Sequence, residues 1–100
     1  MLFRQIKYFL AVVEAGSFTA AAARCFISQP AISQQIQALE RDLGVELLHR
    51  GNRQFTLTPA GKVFYEKARI LSEEIEQLRL DTQQAAREGM SRTGGGDGQA

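Results

Sequence analysis

Glutamine and serine side chains recur along one short segment, where they can form hydrogen bonds with the polar groups of a binding partner. Gln29, Ser33 and Gln34 lie on the polar side of a predicted helix. A glutamine amide donates and accepts in one plane, which matches the edge of an adenine base. Ser33 can reach a base edge or a phosphate, and Pro30 and Ala31 can lie against a thymine methyl group. The chemistry of these residues is suited to binding a partner by hydrogen bonds and apolar contact rather than to cleaving a bond.

A pair of arginines follows this helix. The segment Arg50-Gly-Asn-Arg53 joins two short strand-like runs, 45–48 and 54–57, and its glycine and asparagine favour a tight turn. The pattern predicts a two-stranded hairpin with one arginine on each side of its tip. Both cations could then reach a nucleic-acid backbone or a minor groove.

Catalytic and metal-binding residue sets are missing from the sequence. The single cysteine, Cys25, and the single histidine, His49, exclude an internal disulfide and a cysteine- or histidine-rich metal site. No nucleophile and base form a recognisable pair, and the glycine run 94–96 follows no strand and precedes no helix. We therefore expect no enzymatic activity, no metal and no cofactor.

Three predicted helices position the polar residues. Apolar residues recur at helical spacing, Gly16 and Gly44 are helix-ending signals, and Ser17 and Ser28 are N-cap signals. The predicted helices are residues 3–15, 18–25 and 29–43. Ile32, Ile36, Leu39 and Leu43 form the buried stripe of the third helix, opposite Gln29, Ser33, Gln34 and Gln37. The second and third helices, joined by a tight turn, predict a helix-turn-helix over about 18–37.

A fourth helix of about thirty residues begins at Thr58-Pro59 and is predicted to run to about residue 88. Its length of roughly 45 Å is long for a small domain. Its apolar and small residues alternate four and three apart, as in a coiled coil. The residues of this heptad seam are Phe64, Ala68, Leu71, Ile75, Leu78 and Thr82. The seam predicts a dimer interface, and the alternative is that it packs against its own domain. The glycine-rich segment 89–100 is predicted to be a flexible tail.

Charge is unevenly distributed along the chain. The net charge is only +1, but residues 1–62 hold seven Lys or Arg and four Asp or Glu. Residues 63–88 hold four Lys or Arg and six Asp or Glu. A mildly basic head on an acidic helix suits a nucleic-acid-facing domain. The sequence has no signal-peptide pattern and no apolar run near the roughly 18 residues of a membrane span, so we expect a cytoplasmic protein.

Several motifs together resemble a known family. They are Gly16-Ser-Phe-Thr-Ala-Ala-Ala-Ala, Ser28-Gln-Pro-Ala-Ile-Ser-Gln-Gln-Ile, Leu39-Glu-Arg-Asp-Leu-Gly and Leu57-Thr-Pro-Ala-Gly61, and in this order and spacing they resemble the N-terminal domain of LysR-type transcriptional regulators. The resemblance covers residues 1 to about 88. It implies a mainly α fold: a winged helix-turn-helix of three helices and a two-stranded β wing in residues 1–58, followed by a long linker helix in residues 59–88.

The resemblance also implies function: sequence-specific binding of double-stranded DNA for bacterial transcription regulation. The operator would be an interrupted palindrome, bound by a homodimer with antiparallel linker helices. The implied DNA-contacting residues are Thr19, Ala20, Ser28, Gln29, Pro30, Ser33, Gln34, Arg50 and Arg53, and Gln37 lies on the same polar side. The family often has arginine where Gln34 stands, and Leu48 and His49 replace a usual phenylalanine and acidic residue.

Two further expectations remain. The family's C-terminal effector-binding domain is absent from these 100 residues, so we expect a fragment or a truncated protein, and small-molecule control only through that missing domain. Apart from the resemblance, a coiled-coil module that binds a protein partner without DNA specificity remains the alternative. Such a module would show no salt-dependent affinity for DNA.

Overall fold

The computed structural model describes residues 1–51 and 54–91. Its elements follow the chain in this order: α1 (Phe3–Ala15), α2 (Phe18–Cys25), α3 (Gln29–Leu43), β1 (Leu48–Arg50), β2 (Phe55–Leu57) and α4 (Pro59–Ser91). The predicted fold class, three helices with a β wing and a long final helix, is confirmed. The chain divides into two units, the first being Met1–Arg69 and the second beginning at Ile70.

The helix boundaries come from the predicted caps. Oγ of Ser17 accepts a hydrogen bond from the Ala20 amide at 3.0 Å, which begins α2. Gly16 ends α1 and Gly44 ends α3, with φ of 80° and 74° respectively. Both conformations are left-handed and favour glycine, because a side chain there is strained.

The core of the first unit lies where α1, α2, α3 and the base of the wing meet. Ala21 and Ala22 are small and buried, so α2 can approach its neighbours closely. The predicted stripe of α3 supplies the centre of this core. The buried cluster comprises Phe9, Val12, Ala21, Ala22, Ile32, Ile36, Leu39, Leu47 and Leu48.

The wing starts later than the sequence predicts. Strand β1 covers Leu48–Arg50 rather than 45–48, and it pairs antiparallel with β2 so that Leu48 faces Leu57 and Arg50 faces Phe55. The physical reason is that backbone groups before the strand have other partners. The amide of Val45 donates to the Glu40 carbonyl at 3.2 Å, and the amide of Leu47 donates to the Glu40 carboxylate at 2.8 Å.

A close backbone contact joins the wing to α4. The Thr58 amide donates to the Leu47 carbonyl at 3.0 Å, and the Thr58 hydroxyl donates to the Glu46 carbonyl at 2.6 Å. The same hydroxyl oxygen accepts from the Gly61 amide at 2.9 Å. A Cβ atom on Gly61 would lie 2.0 Å from the Leu47 carbonyl oxygen, so only glycine fits here.

The first part of α4, up to Arg69, packs within the first unit. The rings of Phe64 and Phe9 meet edge to face, with centroids 5.2 Å apart. Ala68 is buried with Ile6 and Leu10 of α1. This part of α4 therefore completes the core of the winged domain.

The second unit carries the rest of α4, which extends to Ser91, three residues beyond the predicted end. Hydrogen bonds between side chains one turn apart line this segment, such as Gln77 with Asp81 at 2.8 Å. The hydrogen bond with Glu76 raises the pKa of the Arg79 guanidinium. Most of the predicted tail, residues 92–100, lies outside the described residues. Within the described part of the chain, no helix is long and apolar enough to cross a membrane.

Candidate nucleic-acid interface

The turn between α2 and α3 fixes where the polar helix begins. Phe26 ends α2 in the left-handed conformation, with φ of 60°, and the Ile27 amide donates to the Ala22 carbonyl at 3.1 Å. The Ser28 hydroxyl then accepts from the Ala31 amide at 3.1 Å, and α3 starts at once. The turn thus presents the N-terminus of α3 at the surface.

The polar side of α3 is open to solvent. Gln29, Pro30, Gln34 and Gln37 are exposed and Ser33 is half-buried. Three of the four residues of the apolar stripe on the other side of the helix are fully buried, which fixes the rotation of α3 about its axis. The fourth, Leu43, is half-buried. The residues selected by their hydrogen-bonding chemistry are therefore the ones that a ligand can reach.

A groove of about 300 Å³ brings three elements of the first unit together. Thr19 comes from the start of α2, Gln29 and Ser33 from the start of α3, and Arg50 from the wing. Gln54, which the sequence reasoning did not select, also lines the groove. Residues far apart in the chain thus form one polar surface.

Arg50 is held in this groove from two sides. Its Nη2 lies 3.3 Å from Oε1 of Glu40, and its guanidinium carbon lies 5.5 Å from the centre of the Phe18 ring. The Phe18 ring meets Phe55 of β2 edge to face, at 5.7 Å. Since a guanidinium has five N–H donors, these contacts still leave it able to bind a phosphate.

Glu40 is the organising residue that the sequence reasoning missed. It is only 8% exposed, and its Oε2 accepts hydrogen bonds from the Leu47 and Leu48 amides at 2.8 and 3.1 Å. Its other oxygen faces Arg50. A signal was available, because Glu40 follows Leu39 on the buried side of α3, where an unpaired carboxylate would be costly.

The remaining predicted contact residues take different places. Ala20 is half-buried beside exposed Thr19, and Ser28 is exposed although its hydroxyl caps α3. Gln37 lies in a separate depression with Arg41, near the base of the wing. Arg53 lies outside the described residues.

The predicted dimer seam is divided by the structure. Phe64 is half-buried and Ala68 is 4% exposed, because both pack in the core of their own domain. Packing against its own domain was the alternative to a dimer interface for the seam, and it applies only to this first part of the seam. Further along, Ile75 is half-buried, and the exposed seam residues are Leu71, Leu78 and Thr82.

Metal-ligating side chains do not gather within the part of the chain that the structure describes: no group of three or more His, Cys, Asp or Glu is arranged to hold a metal ion. Cys25 is half-buried against the core and forms no disulfide. The groove is thus a surface for hydrogen bonding and ion pairing.

Solved structures similar to this chain include DNA complexes. The BenM DNA-binding domain in complex with catB site 1 DNA has a TM-score of 0.83 and 45% identity, covering 86% of this chain and 96% of that domain. The CbnR DNA-binding domain in complex with DNA has a TM-score of 0.81 and 51% identity, covering 86% of this chain and 99% of that domain.

Sequence comparison leads to the same family. The chain is 52% identical over 87 residues to the transcriptional regulator TfdT of Cupriavidus pinatubonensis; this is 87% of the chain but only 38% of TfdT. Such relatives are transcriptional regulators, so the prediction that the chain is not an enzyme is confirmed. The family model for bacterial regulatory helix-turn-helix proteins of the lysR family matches residues 3–62. This chain belongs to the lysR family of bacterial regulatory helix-turn-helix proteins.

Proposed function

We propose that this chain is the operator-reading part of a bacterial transcriptional regulator and binds a specific double-stranded DNA sequence. The observation that carries the proposal is the groove in which Thr19, Gln29, Ser33 and Arg50 meet. In a helix-turn-helix the second helix enters the major groove with its N-terminal residues at the base edges, while the first crosses the backbone. The groove joins the elements that this docking needs.

Base reading falls to the exposed start of α3. Gln29 and Gln34 can each form paired hydrogen bonds with an adenine, and Ser33 lies between them along the helix. Pro30 adds an apolar surface for a thymine methyl group. Each good bidentate pair contributes about 1–3 kcal/mol of discrimination against the wrong base.

Phosphate binding falls to the wing and to the start of α2. Arg50 is positioned beside the groove by Glu40 and Phe18, and Arg53 follows it in the sequence. Thr19 is exposed at the first turn of α2, where backbone amides favour a phosphate. These contacts supply affinity without sequence preference and make it depend on salt.

Two copies of the chain would read two half-sites. The exposed seam residues Leu71 and Leu78 are unfavourable in water and become favourable when a second helix covers them. We infer an antiparallel pairing of α4 helices, with half-sites about one helical turn apart on an interrupted palindrome.

The location and control of the regulator follow from the same proposal. A protein that reads bacterial operator DNA acts in the cytoplasm, where that DNA lies. The chain spans 38% of the length of TfdT. We infer that a small-molecule effector acts through a domain beyond these 100 residues.

Fluorescence anisotropy of labelled duplexes over a salt series tests the proposal. The catB site 1 duplex and a site selected from a random pool serve as specific probes, and a scrambled duplex serves as the control. Tight binding to the selected site, weakened steeply by salt, is expected. Arg50→Gln should reduce the slope of log Kd against log salt by about 0.9, the contribution of one phosphate contact. Arg79→Gln, which removes a cation already paired with Glu76 on α4, is the matched control.

Two results would contradict the proposal. One is the absence of binding at low salt by a chain that is folded. The other is equal affinity for the selected and the scrambled duplex. The first result would favour the protein-interaction module instead.

A further inference from the structure

Phe26 has a conformation and an exposure that the fold itself does not require. Within the described residues it is the one non-glycine residue with positive φ, at 60°. The residue is 93% exposed. A phenylalanine is disfavoured on both counts, since the left-handed region strains its Cβ and water surrounds its ring.

At this position the backbone, and not the side chain, ends the helix. The Phe26 amide donates to the Ala22 and Ala23 carbonyls as it ends α2. Glycine or asparagine would keep these bonds with less strain. Strain held at a surface residue motivates the hypothesis that the side chain has a functional role.

The place of Phe26 in the chain suggests what its ring contacts. It lies two residues before Ser28, the N-cap of α3. Since consecutive Cα atoms are 3.8 Å apart, the two Cα atoms lie within about 7.6 Å of each other. The DNA major groove is about 12 Å wide. When Gln29 reaches a base edge, a side chain this close to the start of α3 is therefore within reach of the wall of the groove, where deoxyribose lines the strand.

We propose that the Phe26 ring packs against a deoxyribose of the DNA strand beside the start of α3, extending the interface beyond its polar residues. The C–H groups of a sugar give the ring an apolar surface to cover. Arg24, exposed two residues earlier on α2, supplies a positive charge close to the same strand. The contact adds affinity without sequence preference. This inference rests on the proposed function, because it requires α3 to enter the major groove.

Two substitutions of Phe26 distinguish the effect of its ring from the effect of its backbone conformation. Phe26→Asn should raise the midpoint of thermal unfolding by several degrees, since asparagine tolerates the left-handed conformation. It should also weaken DNA binding by about tenfold, through loss of the apolar contact. Phe26→Leu keeps an apolar side chain and should retain most of the affinity. Val45→Asn removes an exposed apolar side chain beyond the other end of α3 and should leave DNA affinity unchanged.

Anisotropy with the selected and the scrambled duplex, repeated over a salt series, measures these effects. The loss in Phe26→Asn should be equal on both duplexes and should leave the salt slope unchanged, because no phosphate contact is removed. Unchanged affinity in Phe26→Asn would overturn the inference while leaving the proposed function intact. A loss that disappears when thymine is replaced by uracil would also overturn it, since the ring would then contact a base. If the unaltered chain binds neither duplex, the proposed function fails, and this inference fails with it.

Discussion

Nη2 of Arg50 lies 3.3 Å from Oε1 of Glu40, and this ion pair joins the last turn of α3 to the first strand of the wing. The same carboxylate accepts two backbone hydrogen bonds, from Leu47 and Leu48. One buried side chain thus sets where the wing begins and where its arginine points. The geometry of the wing relative to α3 therefore depends on Glu40.

Replacement of Glu40 by alanine should therefore weaken the whole domain. The Leu47 and Leu48 amides would lose their acceptor while buried, at a cost of about 1–3 kcal/mol for each unsatisfied group. Urea unfolding of Glu40→Ala should show a large fall in the free energy of unfolding. Glu46→Ala, at an exposed side chain in the same loop, should change it by less than about 0.5 kcal/mol. Equal effects of the two substitutions would disprove the role assigned to Glu40.

Gly61 should tolerate no side chain. A Cβ atom there would lie 2.0 Å from the Leu47 carbonyl oxygen, and neither backbone can move freely, because Thr58 bonds to both. Gly61→Ala should lower the free energy of unfolding by about 3 kcal/mol, as overpacked substitutions do. Gly89→Ala is the matched control, since nothing lies within 4 Å of its Cβ position. A Gly61→Ala chain as stable as the parent would show that the backbones of Gly61 and Leu47 can move apart at little cost, which would contradict the prediction.

The exposed part of the α4 seam should hold the dimer. Leu78 is 65% exposed, and an aspartate there would bring a charge into the paired helices. Leu78→Asp should shift sedimentation equilibrium from dimer to monomer. Leu80 is 42% exposed but lies off the heptad, so Leu80→Asp should leave the dimer in place. Dimer loss in both variants, or in neither, would contradict the assigned seam.

Most of the fold could be predicted because its signals are local. Ser17, Ser28, Gly16 and Gly44 mark helix ends through their own backbone or side chain, so the bounds of the first three helices agree with the prediction. The start of β1 could not be predicted from local signals. It depends on Glu40, seven residues before Leu47, and a contact at that distance leaves no periodic pattern.

The candidate site was predictable in its chemistry but not in its assembly. Exposed polar residues on α3 follow from the position of the apolar stripe. That Arg50 meets Gln29 in one groove follows only from the packing of the wing on α3. In the seam, Ala68 looks like a dimer residue because spacing alone does not reveal that α1 already covers it.

We propose that the exposed start of α3 reads DNA bases. The most direct test of this proposal is the ratio of Kd on a scrambled duplex to Kd on the selected site, measured for the unaltered chain and for Gln29→Ala. We expect a ratio of about 10³ or more for the unaltered chain. In Gln29→Ala the ratio should fall at least about fivefold while affinity for scrambled DNA stays constant. An unchanged ratio, or an equal loss on both duplexes, would contradict base reading by this helix.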